Sequence, residues 1–468
     1  MRWLIRIIGT FVVLAALLVG ALLLVPAERF AGLAADRFQE ATGRALSIDG
    51  EVRATLWPQF GIRAGNVTVA NPDWAGAAPL LQAGSVEIGL PLSAFWGDEV
   101  RIDSLVLMDA IITLVRDAGG SESWDFAPGP SDGIANAAPS ANAPSAVPIA
   151  VAFAELQGAE ITYQDRATGT AWQMRAVDLE ARLPDPMGAL GLTGSALIGG
   201  QAVALDAQVG QLADLLAGTL APFTATFSAG GTTLVLDGRA DLAPAAYEGR
   251  LDMTSTDRFA AFQTFGFAPP DLPDGLGSQR VALSAALTLA PAGTIHLRDM
   301  TATLDGNRLT GALDIDPSGD RPKITASLSA DSLDMTGMSR EGQGGETALV
   351  AETGWGQEEI DVSGLFAIDA AVTLATGPIT LGDATLDSLN AAISVDQGRA
   401  VMTLQPLVAY GGTVTGDIVL NGRGGLSARA TLDLAGLQMQ PFLTEFADWD
   451  RLIGQADATI RLLGVGNT

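Results

Sequence analysis

Carboxylates are the groups in this chain best suited to chemistry, and few of them stand in a pattern that would let them perform it. Asp314 and Asp316 share one side of an alternating run, opposite Leu313 and Ile315, and two positions along an extended strand separate them by roughly 7 Å. A carboxyl pair could serve as the acid and base of glycoside hydrolysis. The run leads straight into Pro317-Ser318-Gly319, however, where solvated strand-end carboxylates are the ordinary outcome. The same stretch, DIDPSG over 314–319, begins like a calcium loop, but its twelfth position is Thr325 where a bidentate Glu belongs, so it reads as a hairpin turn.

His296 is the single histidine, set between Ile295 and Leu297 on the polar side of a strand, and cysteine is absent. That excludes a thiolate metal site and a cysteine nucleophile, and it leaves a histidine-rich metal centre or a Ser-His-Asp triad almost without material. The glycine-rich pieces GQGG (342–345) and GRGG (422–425) lack the phosphate-loop pattern and read as turns. In GNVTVANPDWAG (65–76), Pro72 has no N–H and pushes Asn71 out of helical geometry, so the strand ends there. Asp73 has no catalytic partner near it in sequence, and Trp74 reads as an apolar lid on the sheet, with lipid contact as the alternative. No catalytic residue, cofactor or metal follows from these patterns, and the chain is read as not an enzyme.

The elements around these residues account for the rest. The 468 residues are 48% hydrophobic, with a mean hydropathy of +0.29, more apolar than a globular core of this size needs. With 26 Lys and Arg against 53 Asp and Glu the net charge is −27, which argues against a nucleic-acid binder. Ile7 to Ala27 carry no charge, and as a helix they would reach about 30 Å, the thickness of a bilayer's hydrocarbon. Ile7, Phe11, Leu14, Leu18, Leu22 and Val25 would line that span, and Arg2 and Arg6 before it put the N-terminus in the cytoplasm. The expectation is a single-pass inner-membrane anchor over 1–28 with a periplasmic body. A cleaved signal peptide is the alternative, but the apolar run continues past Val19-Gly20-Ala21.

Beyond a short helix ending at Gly43 the hydrophobic period changes from 3.6 to 2. VALSAALTL sets Val281, Leu283, Ala285, Leu287 and Leu289 on one side, ITASLSA does the same with Ile324, Ala326 and Leu328, and FAIDAAVTL with Phe366, Ile368, Ala370, Val372 and Leu374. RLTGAL (308–313) and TVTGDI (413–418) are loosely alike, which suits a body built by repeating strand pairs. STDRFAAFQTFG and the helix begun near Pro441 read as covers for ends of the sheet. Residues 127–148 hold prolines and small residues without periodicity, a linker or insertion between a 29–126 region and a middle region of 149–379; a last region runs over 380–468. The apolar side of such strands either meets a second sheet or lines an open groove, and periodicity does not separate the two.

Thr42-Gly43-Arg44, Ile48-Asp49-Gly50, Trp57-Pro58, Val69-Ala70-Asn71-Pro72 with Asp73 and Trp74, and Ser123-Trp124-Asp125-Phe126 together resemble the N-terminal region of the AsmA family of bacterial inner-membrane proteins. Leu404, Pro406, Tyr410-Gly411-Gly412, Gly416, Leu437 and Asp450-Arg451-Leu452 resemble its C-terminal region, which in the family leads on into further strands where this chain stops at Thr468. The resemblance implies a mainly β fold: an N-terminal transmembrane helix, then an elongated, curved, mostly antiparallel sheet forming a groove, with a few short helices. It also implies phospholipids as cargo, outer-membrane or envelope-assembly proteins as partners, and support of outer-membrane assembly by holding or transferring acyl chains. Leu283, Leu287, Ile324, Leu328, Phe366, Ile368 and Val372 are then the candidate groove lining. A structural scaffold for envelope assembly without lipid cargo is the alternative.

Overall fold

Alternating apolar and polar residues suit a strand with one side sheltered, and the runs that alternate after residue 45 form such strands. The computed structural model describes residues 32, 35–36, 38–40, 42–55, 61–91, 101–125, 150–242, 245–257, 275–336, 363–382, 384–447 and 449–466. They fall into two compact units, Met1–Ala213 and Asp214–Thr468.

In the first unit β1 (Leu46–Ile48) and β2 (Val52–Thr55) both pair with β3 (Gly61–Val69), and β3 pairs with β4 (Leu81–Gly89), all antiparallel. A two-residue strand, β5 (Arg101–Ile102), precedes β6 (Ser104–Arg116), which lies antiparallel to β4. Another, β7 (Ala150–Val151), precedes β8 (Phe153–Asp165), and both short strands and long strands here pair in parallel, β5 with β7 and β6 with β8. Antiparallel pairing then resumes through β9 (Ala171–Arg182), β10 (Leu190–Ile198) and β11 (Gln201–Val209).

The second unit repeats that plan at greater length. An antiparallel meander runs through β12 (Ala221–Ala229), β13 (Thr232–Leu242), β14 (Ala245–Ser255), β15 (Val281–Leu289), β16 (Ile295–Leu304), β17 (Asn307–Asp316) and β18 (Lys323–Ala330). After β19 (Leu333–Asp334), the strand β20 (Asp369–Thr376) docks parallel to β18. The hairpin β21 (Ile379–Leu381) and β22 (Ala384–Leu386) joins β19 in a small three-stranded sheet. The main sheet then continues antiparallel through β23 (Ser388–Asp396), β24 (Arg399–Ala409), β25 (Gly412–Asn421), β26 (Ser427–Gln438) and β27 (Gln455–Val465).

The expected membrane-spanning helix is corrected. Among the described residues no helix is long and apolar enough to cross a membrane. Leu212–Leu216, Gly364–Ala367 and Met439–Ala447 fall far short of the roughly 20 residues that the hydrocarbon thickness demands. The segment read as the anchor, with Ile7, Phe11, Leu14, Leu18, Leu22 and Val25, lies outside the described residues, as do 127–148, GQGG and all of STDRFAAFQTFG beyond Asp257, its Ser255 being the last residue of β14. The single-pass inner-membrane attachment, the cytoplasmic N-terminus and the periplasmic body all rested on that helix, and they are withdrawn with it.

One turn outside the alternating pattern holds the second unit's loops together. Asp305, at the tip of the β16–β17 hairpin, has φ +51 and accepts backbone N–H bonds from Gly275, Gly277, Ser278, Gln279 and Arg280 at 2.7–3.1 Å, plus the Ser278 hydroxyl. Asn307 extends the clamp: its amide donates to the Gly275 and Asp334 carbonyls, and its oxygen accepts from Asp334 N–H. Partial burial alone would raise the Asp305 pKa, but the N–H groups of Arg280, Gln279 and Gly277 and the Ser278 hydroxyl outweigh it and hold the group at about 2. Because the folded value is depressed, this stabilisation is complete above about pH 4 and is lost as pH falls toward about 2. Discounted for solvent screening, it is worth about 1–2 kcal/mol. Urea unfolding of wild type and Asp305→Ala should therefore differ at pH 7 and converge near pH 2; an equal gap at both pH values would remove the carboxylate from the argument.

Candidate functional site

Residues paired across neighbouring strands point to the same side of a sheet, so register carries a face from strand to strand. Starting from Phe223 on β12, the paired residues are Gly238, Gly249, Leu287, Leu297, Leu313, Ala326, Val372, Ile393, Met402, Ile418, Ala430 and Leu462. Every residue in that row, from the first strand of the unit's main sheet to the last, is apolar. A parallel row two residues away reads Leu236, Leu251, Ala285 on β13 to β15, equally apolar. The opposite side carries Thr288, His296, Asp314 and Thr325 in one register line.

This apolar face is not a sandwich interior. Ala285, Leu297 and Met300 are buried, with Leu251, Leu283, Leu287, Ile295, Leu313 and Leu328 packed around them while staying part-exposed. Among the described residues the largest fully buried side chain is Ser123, whereas two interlocked sheets would bury leucines and phenylalanines completely. One end of the strands carries an apolar cover. There Leu309 and Ala330 pack with Leu333 and Ile379 of the small sheet, and the helix Met439–Ala447 lays Phe442 edge-on against Tyr410, rings 5.6 Å apart at 79°. Burial, with Glu445 beside it, pushes the Tyr410 hydroxyl up to about 12.

Continuity of the face across so many strands depends on how the bulges are seated. β16 bulges between Leu297 and Met300, where Asp299 has φ +49, and β24 bulges between Leu404 and Leu407, around Pro406. An extra residue would throw the alternation out of phase unless the partner accommodates it. Opposite these bulges stand Gly311 (φ +151), paired with Met300, and Gly416 (φ +135), paired with Leu404. These are the glycines shared by RLTGAL and TVTGDI. A Cβ on Gly311 would strike the Ser327 carbonyl, and one on Gly416 the Thr431 carbonyl.

The structure brings together five of the residues expected to line a groove. Leu283 and Leu287 on β15, Ile324 and Leu328 on β18 and Val372 on β20 lie on the apolar face. Phe366 and Ile368 do not belong to a strand: Gly364–Ala367 is a helical turn, Ile368 follows it, and β20 starts at Asp369. The Phe366 ring lies against Gly398 at the β23–β24 turn, where a Cβ would overlap it. Asp314, singled out for its spacing from Asp316, instead accepts from His296 Nδ1 at 2.6 Å and pairs with Arg298 at 2.7 Å. Its pKa is lowered, first by the His296 hydrogen bond and then by Arg298, so it is held as an ordinary paired carboxylate.

The corner at 71–74 is built as a clamp. Asn71 donates to the Ala78 and Thr113 carbonyls, Asp73–Ala75 make one 3-10 turn, and Arg166 donates to the Trp74 and Ala75 carbonyls at 2.8 and 2.7 Å. Trp74 stays 38% exposed. Arg44 reaches across and donates to the backbone carbonyls of Ser123 and Asp125. Two of the motifs quoted from the sequence, TGR and SWDF, thus meet in space.

Residues 2–216 match the AsmA family model. The match covers the first unit and ends at the start of the second, so the resemblance over 42–126 has a counterpart in it and that over 404–452 does not. No curated protein and no solved structure matches the chain. The Asp305 clamp, Arg166 and the seating glycines escaped sequence reasoning; only the repeated Thr-Gly pair gave any hint of the last. If the glycines keep the face in phase, Gly311→Ala should destabilise the second unit by about 2 kcal/mol or more, because the clash with the Ser327 carbonyl and the strained φ outweigh the small gain that removing glycine's freedom from the unfolded chain brings. Denaturant midpoints would show it, and a loss under about 0.5 kcal/mol would mean that the sheet shifts freely there.

Proposed function

We propose that the apolar sheet face is a binding surface for an extended hydrocarbon chain of the acyl type, and that the protein acts by holding such chains without covalent chemistry. The carrying observation is the unbroken apolar register row from Phe223 to Leu462, part-exposed or exposed except at Leu297 and Ala326, which are buried. Strands of nine or so residues make the face roughly 30 Å wide along the strand direction, with about 4.8 Å added per strand across it, room for acyl chains in either orientation. Each methylene sheltered from water contributes about 0.8 kcal/mol, so a chain gains affinity by lying along leucines and valines without any polar anchor.

A scaffold that buries the same face against a protein partner is the second reading, favoured by the apolar side chains of β27, where Leu462 is 62% exposed. The two differ in what comes away with the protein. Mass spectrometry under gentle extraction should find diacyl or long-chain lipid bound to wild type, and Leu287→Glu with Val372→Glu should cut it at least about fivefold, each charge costing several methylene contacts. Circular dichroism should show the sheet intact. Lipid-free wild type, or the double variant carrying as much lipid as wild type, would end this reading.

A further inference from the structure

Strand β27 presents an open edge. It pairs antiparallel with β26 along one side, and among the described residues no strand pairs along the other. Every residue of β27 except Ala456 is exposed, with Leu463 at 75% and Val465 at 81%. The Gly466 N–H bonds to the Leu426 carbonyl, so alternation along the strand aims the backbone groups of Asp457, Thr459, Arg461 and Leu463 away from β26. Such a row of unpaired donors and acceptors is a template for another strand, and edges are commonly blunted by proline, lysine or a bulge. β27 contains no proline and no lysine, and the bulge at Leu434 to Leu437 belongs to β26.

The two charges of the strand single out what fits there. Asp457 and Arg461 stand two positions either side of Thr459, on the side of the sheet opposite Ala458, Ile460 and Leu462. We infer that this edge takes a second copy of the same chain, its own β27 added antiparallel about a two-fold axis at Thr459. That register pairs outward-aimed positions with outward-aimed positions, as the backbone bonds require. It sets Asp457 against Arg461 of the copy at both ends of the contact, and on the other side it sets Ala458 against Ile460 and Ala456 against Leu462, small beside large. Asp457 also accepts from the Gly436 N–H at 2.7 Å, which holds it in place. One strand in, Arg429 and Asp433 lie opposite Leu463 and Thr459, and Asp450 and Arg451 precede the strand, so neighbouring charges come in both signs. The formal net charge of −27 opposes contact between copies, but at about 0.15 M salt it is screened beyond about 8 Å. Because paired residues share a side, the apolar row that reaches Leu462 continues into the row of the copy. The pairing goes beyond the hydrocarbon reading and does not depend on it. A single strand pair buries less than the roughly 1,200 Å² of a stable interface, so the dimer is a weak one, with a Kd on the order of 10 µM.

The chain has no cysteine, so a single introduced one reports the register. Cα atoms of a hydrogen-bonded antiparallel pair lie about 5.5 Å apart, within disulfide reach, so Thr459→Cys should link copies on mild oxidation. Leu463→Cys, about 27 Å from its twin in this register, should link them at least about tenfold more slowly. Sedimentation of the full chain in mild detergent, from about 1 to 100 µM, should show monomer and dimer in equilibrium. Arg461→Asp or Asp457→Arg alone sets like charges opposite and should weaken the dimer about tenfold, whereas an equimolar mixture of the two variants should recover it, since each Asp again meets an Arg. A variant that had merely misfolded would not recover in the mixture. Wild type that stays monomeric at 100 µM, equal linking through positions 459 and 463, or a mixture no tighter than either variant would overturn the pairing and leave the hydrocarbon reading untouched.

Discussion

Pleat parity is the constraint on which everything else here rests. Side chains alternate sides at every residue, and hydrogen-bonded pairs share a side, so an apolar surface that crosses a whole sheet exists only if no strand slips by one position. In the second unit that condition holds through antiparallel hairpins, through the parallel seam between β18 and β20, and past bulges in β16 and β24. A single slip would turn leucines to one side and threonines to the other over the rest of the sheet. The energy that enforces parity is the sheltering of those leucines and valines, and the same side chains form the surface to which a function is assigned. On the proposed reading, stability and binding draw on one set of residues.

How much of this the sequence makes legible follows from the range of the interactions. Strand interiors such as VALSAALTL and ITASLSA are legible because alternation is local, and the faces of Leu283, Leu287, Ile324 and Leu328 follow directly. FAIDAAVTL misleads because its first half alternates by accident: Phe366 and Ile368 sit in and after a helical turn whose ring is wanted over the β23–β24 turn. The bulges are illegible, since an extra residue in one strand is defined only by its partner. So is the Asp305 clamp, whose donors lie some 25 to 30 positions upstream. The candidate face is legible as a pattern but not as open or filled; what distinguishes those is that, among the described residues, no side chain larger than Ser123 is fully buried, a fact of packing.

The motifs that resemble a family turn out to be joints, not chemistry. Asn71 and Pro72 end β3, Arg166 holds the corner that follows, and Arg44 ties the start of the sheet to Ser123 and Asp125. These residues fix where strands stop and how the chain returns. That explains why such positions are recognisable while the lining residues, which need only be apolar and of moderate size, are not.

In each unit two long strands of the main sheet pair in parallel, β6 with β8 and β18 with β20, and each such seam is reached only after a long detour of the chain, from Arg116 to Phe153 and from Ala330 to Asp369. Hairpins can zip residue by residue, since their partners are already close, but a seam must wait for a loop of that length to close before any of its bonds form. The sheets thus divide into quickly formed ribbons and slow closures between them. Until a seam shuts, each ribbon displays a bare strand edge beside an apolar face, so the order of assembly, as much as the final register, decides whether the chain reaches this structure or pairs with a neighbour.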